Sequence, residues 1–523
     1  MTKKAKFYAV KNGRNPGVYL SWEDCQQEIT CYSGAIYKSF STIDEANAWL
    51  RDSINESQQE TNVASKHNHK LPIIGTPEVI NPTPSASRKK TSKTKNASIL
   101  KMRSTNIVYT PDQEAALISI ANFITDKKVI QNILVGFAGT GKTTCAENII
   151  NFAKSKGYQT ILTAPTNVAV KILHQKLANV VSKDAIFKTL HALLYGAPDK
   201  DGNWVPKEDL ANNTFILVDE SSMIEASLYN DLINAAQFSR KVKILFMGDN
   251  YQLEPVGNDP HILDNPDLKL ETVKRQADTS PILALATAIR TQKKVLTPIL
   301  STPHPDIEVL SIPSLKELYL SKISTSDPDQ IIYITATNRT RCAVNKAARI
   351  KRFGIQNVAN VQETDQLIFI ANSNHYINCD RLTLQGFEII DTLSLTINKK
   401  NMPYVVNAEL IITDDNRKII LFPFTEQSSI YHSQISNPHL NLPPGWHERN
   451  EKSKKYEVSK EVSIATYGYA ITGHKSQGSQ YPLVFVHQDF LWDNPRWQYT
   501  AVTRAAKTLY IAQNSRAVPY KLN

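Results

Sequence analysis

The run Ile133-Leu134-Val135 breaks at Gly136 into Phe137-Ala138-Gly139-Thr140-Gly141-Lys142-Thr143-Thr144. Apolar positions then recur at helical spacing through Cys145, Ala146, Ile149, Ile150 and Ala153. A buried strand, a glycine-rich turn and a helix, in that order, give G-x-x-x-x-G-K-T the context of a phosphate-binding loop. Glycines at 136, 139 and 141 let backbone N–H groups turn inward around phosphates without a Cβ clash. The helix start at 142 adds its partial positive charge. Lys142 is spaced to reach the β- and γ-phosphates, and the Thr143 hydroxyl to hold Mg²⁺; Thr140 and Thr144 complete the lining. Such a loop commits the chain to an α/β fold around a parallel sheet.

The expected partners of that loop follow in order. Thr160 to Asn167 is a strand ending in the polar turn Pro165-Thr166-Asn167. Phe215-Ile216-Leu217-Val218 ends in Asp219-Glu220, with Asp219 placed for the metal and Glu220 for polarising the attacking water. Lys243 to Met247 is a third strand, followed by Gly248-Asp249 and by Gln252, which is placed to sense the γ-phosphate. Asp249 is read as ordering its loop. One helix before the phosphate loop, Gln113 offers a carboxamide that could read adenine. Repeated strands ending in polar residues fit a site at the carboxyl edge of the sheet.

The chain has 523 residues, enough for roughly three or four domains, and a net charge of +11, which favours a polyanionic partner. Its five cysteines form no C-x-x-C pair, so neither a zinc ribbon nor a disulfide framework is expected. No stretch is apolar for long enough to span a membrane. Met1 to Lys4 leads straight into Phe7-Tyr8-Ala9-Val10 without the pattern of an export signal. The expectation is a soluble, intracellular, cytoplasmic protein of a bacterial or phage-infected cell, with no membrane partner.

Residues 1–51 read as a small α+β unit: strands at 6–10, 18–20 and 35–40, helices at 22–29 and 44–50. Aromatics interleave with lysines there, as on surfaces that stack on sugars or bases beside phosphates; for Phe7 and Phe40 core packing is the preferred reading. Residues 52–104 are rich in Asn, Ser, Thr and Pro and end in a basic cluster, so they read as a flexible tether.

The pattern Phe7-Tyr8-Ala9-Val10, Gly13-Arg14, Gly17-Val18-Tyr19, Trp22, Tyr37-Lys38 and Phe40 resembles the hybrid-binding domain of eukaryotic ribonuclease H and its caulimovirus relative. The resemblance implies that Tyr8, Trp22, Tyr37 and Lys38 contact an RNA–DNA duplex. The family's second lysine is replaced by Ser39.

Beyond the linker, the ordered series resembles superfamily 1B helicases of the RecD/Dda branch. That series comprises Gln113, GFAGTGKTT, Ala164 to Asn167, Thr189-Leu190-His191, Val218 to Met223, Gly248 to Val256, Lys274-Arg275-Gln276, Tyr469 to Gly478 and Tyr499 to Ala505. The resemblance implies two RecA-like lobes, ATP with Mg²⁺, and 5′ to 3′ movement. Arg275 and Arg504 become arginine fingers. Pro165, Thr166, Asn167, His191, Thr472, His474 and Lys475 become the single-strand track. Asp201-Gly202 is a turn signal, and the resemblance makes 194–208 a strand-separating pin with Trp204 near its tip.

The expected domains are 1–51, linker 52–104, lobe 1 at 105–280, lobe 2 at 281–362 and 463–523, and an inserted SH3-like β-rich domain at 363–462. Expected partners are single-stranded DNA and duplex junctions, an RNA–DNA hybrid, and replication proteins such as a single-strand-binding protein. The resemblance points to replication or recombination. Two alternatives stay open: a translocase that mainly strips proteins from DNA, and an N-terminal module that docks protein.

Overall fold

Strands with long apolar runs bury both faces, and this chain uses them for two parallel sheets. The computed structural model describes residues 7–12, 17–19, 36–40, 99, 108–195, 205–255, 257–272, 280–300, 304–357, 360–399, 402–422, 442–449, 456–488, 494–513 and 517–522. It divides into two compact units, residues 1–88 and 89–523.

In the first unit β1 (Phe7–Asn12) is the central strand of an antiparallel sheet, flanked by β2 (Gly17–Tyr19) and β3 (Ile36–Phe40). Tyr8 pairs with Tyr19 and Ser39, and Val10 with Tyr37. Strand alternation puts positions 8, 10 and 37 on one face, and 9, 38 and 40 on the other. Ala9 is buried, whereas Lys38 is exposed with its Nζ 5.7 Å from the centre of the Phe40 ring. The two expected helices and Trp22 lie outside the described residues.

One residue of the expected linker 52–104 is described. Ile99 is fully buried in the lobe 1 core, and its carbonyl accepts a 2.8 Å hydrogen bond from Asn148 Nδ2.

Lobe 1 runs α1 (Pro111–Thr125), β4 (Gln131–Gly136), α2 (Lys142–Ser155), β5 (Gln159–Ala164), α3 (Asn167–Leu177), β6 (Ile186–Thr189) and α4 (Leu190–Leu194). It continues with β7 (Thr214–Val218), α5 (Ala226–Gln237), β8 (Lys243–Gly248) and β9 (Leu268–Leu270). The sheet order is β6-β5-β7-β8-β4-β9, all parallel. Alternate residues feed two cores: Phe215, Leu217, Leu245 and Met247 face one, and Ile216, Val218, Ile244 and Phe246 the other. Because β7, β8 and β4 are neighbours, their carboxyl ends bring Asp219, Asp249 and Gly136 side by side.

Lobe 2 opens with α6 (Pro281–Gln292), β10 (Leu296–Leu300), β11 (Ile307–Leu310), α7 (Ile312–Thr325), β12 (Ile331–Thr335) and α8 (Asn338–Phe353). The insert follows: β13 (Gln366–Phe369), β14 (Arg381–Thr383), β15 (Phe387–Lys399), β16 (Met402–Thr413), β17 (Lys418–Leu421), β18 (His447–Arg449), β19 (Tyr456–Val458) and β20 (Val462–Tyr467). Lobe 2 then closes with β21 (Ala470–Thr472), β22 (Tyr481–Val486), α9 (Pro495–Val502), β23 (Ala505–Ala512) and β24 (Val518–Leu522). Its main sheet, β11-β23-β22-β12-β21, is again all parallel, and β10 pairs with β24 beside it.

The insert is a six-stranded sheet, β14-β13-β20-β17-β16-β15, antiparallel except for the β17–β20 pair. One face shares its core with lobe 2 through Leu367, Phe369, Ile411 and Leu421; the other is capped by Trp446. Trp446 is 2% exposed. It is therefore a packing residue. The final insert strand runs on to Tyr467, past the expected boundary at 462. Arg349 of α8 ties the insert down: its Nε lies 2.9 Å from Asp365 Oδ1 and its second terminal nitrogen 2.9 Å from Asp365 Oδ2, with both side chains fully buried.

Candidate nucleotide site and strand track

The loop between β4 and α2 takes its shape from glycine and from Gln113. Gly141, the N-cap of α2, has φ +81°, and a Cβ there would lie 2.5 Å from Gln113 Nε2. Gln113 is fully buried. Its Nε2 donates to Thr140 O at 2.7 Å, while its Oε1 accepts from Thr110 N–H at 3.1 Å. The carboxamide thus braces the loop against the start of α1. One N–H of Nε2 and one lone pair of Oε1 stay uncommitted by these two bonds. Lys142 Nζ folds back onto the carbonyls of Gly136 and Phe137.

Across the sheet edge, Glu220 adopts a left-handed backbone at φ +50°, a strained choice for a glutamate that is common at functional sites. Burial, then the charge of Asp219, pushes its carboxyl upward, against the pull of Arg504 and Lys142. Burial likewise raises Asp219, opposed by Lys142. Two desolvated carboxylates beside a hydroxyl at a helix start are a donor set that a hard divalent cation would relieve. Thr143 and Asp219 are the residues that would hold Mg²⁺ here. Among the described residues no group of three acidic, His or Cys side chains forms a self-sufficient metal cage. Gln252 is buried, and its Oε1 has no hydrogen-bond partner.

Lobe 2 reaches this site through two helices. The Tyr499 hydroxyl of α9 accepts a 3.2 Å hydrogen bond from Ala138 N–H in the phosphate loop and donates to Asp249 Oδ2 at 2.5 Å. Arg290 of α6 stacks on Phe137, its guanidinium carbon 3.4 Å from the ring centre, and its Nε is buried without a partner. Leu253 N–H donates to Thr500 Oγ1 at 3.1 Å, and Gln477 Nε2 to Leu253 O at 3.1 Å. Arg504 is buried and bonded within its own lobe, to the Thr500 and Ser479 carbonyls at 2.9 and 3.1 Å. Its charge acts on Glu220 from there. The second expected finger, Arg275, lies outside the described residues.

Sequence reading passed over Tyr499 and Arg290 as site residues. In the sequence Tyr499 stands only as the first letter of a motif, and Arg290 reads as an ordinary helix cation. Nothing local marks either, because their roles arise from the meeting of two lobes.

The expected track residues lie on both lobes. Thr166 caps α3, accepting from Ala169 N–H at 3.2 Å. The 473–478 loop comes close to it: a Cβ on Gly478 would lie 3.6 Å from Ala169 Cβ. Thr472 ends β21 beside Thr335 of β12. Burial lowers the proton affinity of both His474 and Lys475. Asn167 Nδ2 donates to Asn372 of the insert at 3.0 Å, and Lys171 pairs with Asp380 at 2.9 Å. His191 is exposed at the start of α4, near Tyr195. Thr337 caps α8 just as Thr166 caps α3. The repeat Thr163-Ala164-Pro165-Thr166-Asn167 and Thr335-Ala336-Thr337-Asn338 could have revealed that second turn. Trp204 and the pin tip lie outside the described residues. At their base Tyr195 and Pro206 pair in antiparallel fashion.

Two parallel-sheet lobes, a phosphate loop, a carboxylate pair and basic groups supplied from the opposite lobe define a P-loop nucleoside triphosphatase whose site lies between domains. Residues 108–298 match the AAA domain family, 467–512 the UvrD-like helicase C-terminal domain, and 6–50 the Ribonuclease H1 N-terminal domain. The motor half of the chain thus matches P-loop and UvrD-like helicase domains, like the superfamily 1B helicases, and its N-terminal part matches a ribonuclease H1-type module.

It is 33% identical over 159 residues to the ATP-dependent RecD2 DNA helicase of Deinococcus radiodurans, covering 29% of this chain and 21% of the relative. Against the RecBCD enzyme subunit RecD of Buchnera aphidicola it is 24% identical over 457 residues, covering 73% and 70%. The solved Pif1 helicase from Candida albicans overlaps 78% of this chain and 95% of its own at 16% identity, with a TM-score of 0.40. The ribonuclease H relatives of Crithidia fasciculata and Saccharomyces cerevisiae are covered over only 16% and 14% of their length. No described helix is long and apolar enough to cross a membrane.

Proposed function

We propose that the chain is an ATP-driven DNA helicase that moves 5′ to 3′ on single-stranded DNA and opens duplexes or RNA–DNA hybrids in replication or recombination. The observation that carries this reading is the seam between lobes: Tyr499, Arg290 and the Arg504 segment of lobe 2 sit on the phosphate loop and Glu220 of lobe 1.

ATP enters between lobes whose contacts already pass through its loop. Lys142, now on loop carbonyls, transfers to the phosphates, and Gln252 Oε1 and Arg290 Nε gain partners. Mg²⁺, held by Thr143 and Asp219, would neutralise phosphate charge. Glu220 orients the attacking water and takes its proton. Arg504, with Arg275, steadies the charge that develops on the phosphoryl group. Closing and reopening the seam moves the Thr166 cap relative to the 472–478 loop, so grip on a strand alternates between lobes. The insert serves as the SH3-like domain of this branch, the 194–208 segment as its pin, and residues 1–51 as a hybrid-binding module.

Steady-state ATPase assays with and without oligothymidylate test the reading. Wild-type turnover should rise many-fold on single-stranded DNA. Lys142→Ala and Arg504→Ala should each lower it by about 10²-fold or more. Turnover indifferent to nucleic acid would sink the proposal.

A further inference from the structure

On the far side of lobe 1, at the amino ends of β4, β5 and β8 and so opposite the phosphate loop, lies a cavity of about 600 Å³. Lys127, Lys128, Lys156, Lys241 and Lys243 line it, against Asp126 as the one carboxylate. Among the described residues none of the five lysines forms an ion pair, and Asp126 Oδ1 is occupied by the Lys128 N–H at 2.7 Å. Three of the ammonium groups are propped on rings: Lys156 Nζ is 4.8 Å from the Phe152 ring centre, Lys241 4.9 Å from Tyr158, and Lys243 5.0 Å from Phe123. Like charges held around one concavity focus a positive potential into it.

Apart from Thr125 and Ser239, whose hydroxyls donate to Ala121 O and Ala235 O at 3.0 and 2.7 Å, the rest of the wall is apolar. Ile124, Ile130 and Val242 supply it, and Val129 is exposed at the rim. On the turn before Lys241, Phe238 is 79% exposed. We propose that this cavity docks an acidic peptide segment of a partner protein, anchored by an apolar side chain on the cavity wall, with its carboxylates on the lysine rim.

A nucleic acid strand fits less well. Single strands need open ring faces and a continuous groove. The one ring in the wall, Tyr158, is buried, covered by Lys241, and its hydroxyl is tied to Ile124 O at 3.1 Å. A mononucleotide would find neither inward-turned glycine backbone nor a polar edge to read its base. An apolar wall under a cationic rim suits carboxylates flanking an aliphatic or aromatic residue.

Fluorescence anisotropy on the full chain tests this, with a labelled oligo-aspartate peptide ending in Leu-Phe as the probe. Binding should saturate in the micromolar range. It should weaken at least tenfold in Lys127→Glu/Lys241→Glu, and by about as much when the peptide ends in Ser-Ser. Both lysines are exposed, so the variant should keep its single-strand-stimulated ATPase. Absence of saturable binding, equal affinity in the variant, or equal affinity for the Ser-Ser peptide would each overturn the proposal. Loss of oligothymidylate binding in the variant, with peptide binding intact, would reassign the cavity to nucleic acid.

Discussion

Glu220 concentrates the chemistry of the site in one side chain. Its carboxyl is raised by burial and by Asp219, so the folded state binds its proton more tightly than the unfolded chain does. For an acid with a raised value, the stability that this adds is present at low pH and lost as pH rises through the folded value. Glu220→Gln should therefore raise Tm near pH 8 more than near pH 5, seen by differential scanning fluorimetry. It should still bind ATP while turnover falls about 10²–10⁴-fold. The same shift places the acid limb of kcat/KM above the usual glutamate range. Tyr499 makes a second residue-level prediction. Tyr499→Phe cuts the link between Ala138 N–H and Asp249. Stimulation of ATPase by single-stranded DNA should fall about fivefold or more, the size of a modest coupling energy; unchanged stimulation would show that the bridge is incidental.

At the scale of elements, the insert is joined to lobe 2 by one core and one ion pair. Asp365 holds Arg349 and also accepts from Tyr469 OH at 2.9 Å. Asp365→Ala leaves a buried guanidinium unpaired and should cost roughly 3–5 kcal/mol in chemical denaturation. A loss below about 1 kcal/mol would show that the pair is dispensable. The parallel strands β4, β7 and β8 were legible because burial on both faces leaves a near-continuous apolar run. The phosphate loop and its carboxylates were legible because their chemistry dictates residue type at fixed spacing. Ile99 was not, since an apolar residue in a basic, polar stretch gives no periodicity. Neither was the double hydrogen bond of Gln113, which depends on a loop distant in sequence.

For the whole molecule, the account joins a two-lobed motor to a module matched to the Ribonuclease H1 N-terminal domain. In the proposed function the motor sets whether and in which direction strands part, and the module sets on which duplex. Strand displacement by the purified full chain with ATP and Mg²⁺ tests both at once, on a DNA duplex and on an RNA–DNA hybrid, each with a 5′ or a 3′ single-stranded tail. The account predicts displacement from 5′ tails, faster on the hybrid, with the hybrid advantage lost in Trp22→Ala/Tyr37→Ala. Displacement from 3′ tails, or none from any substrate despite single-strand-stimulated ATPase, would contradict it.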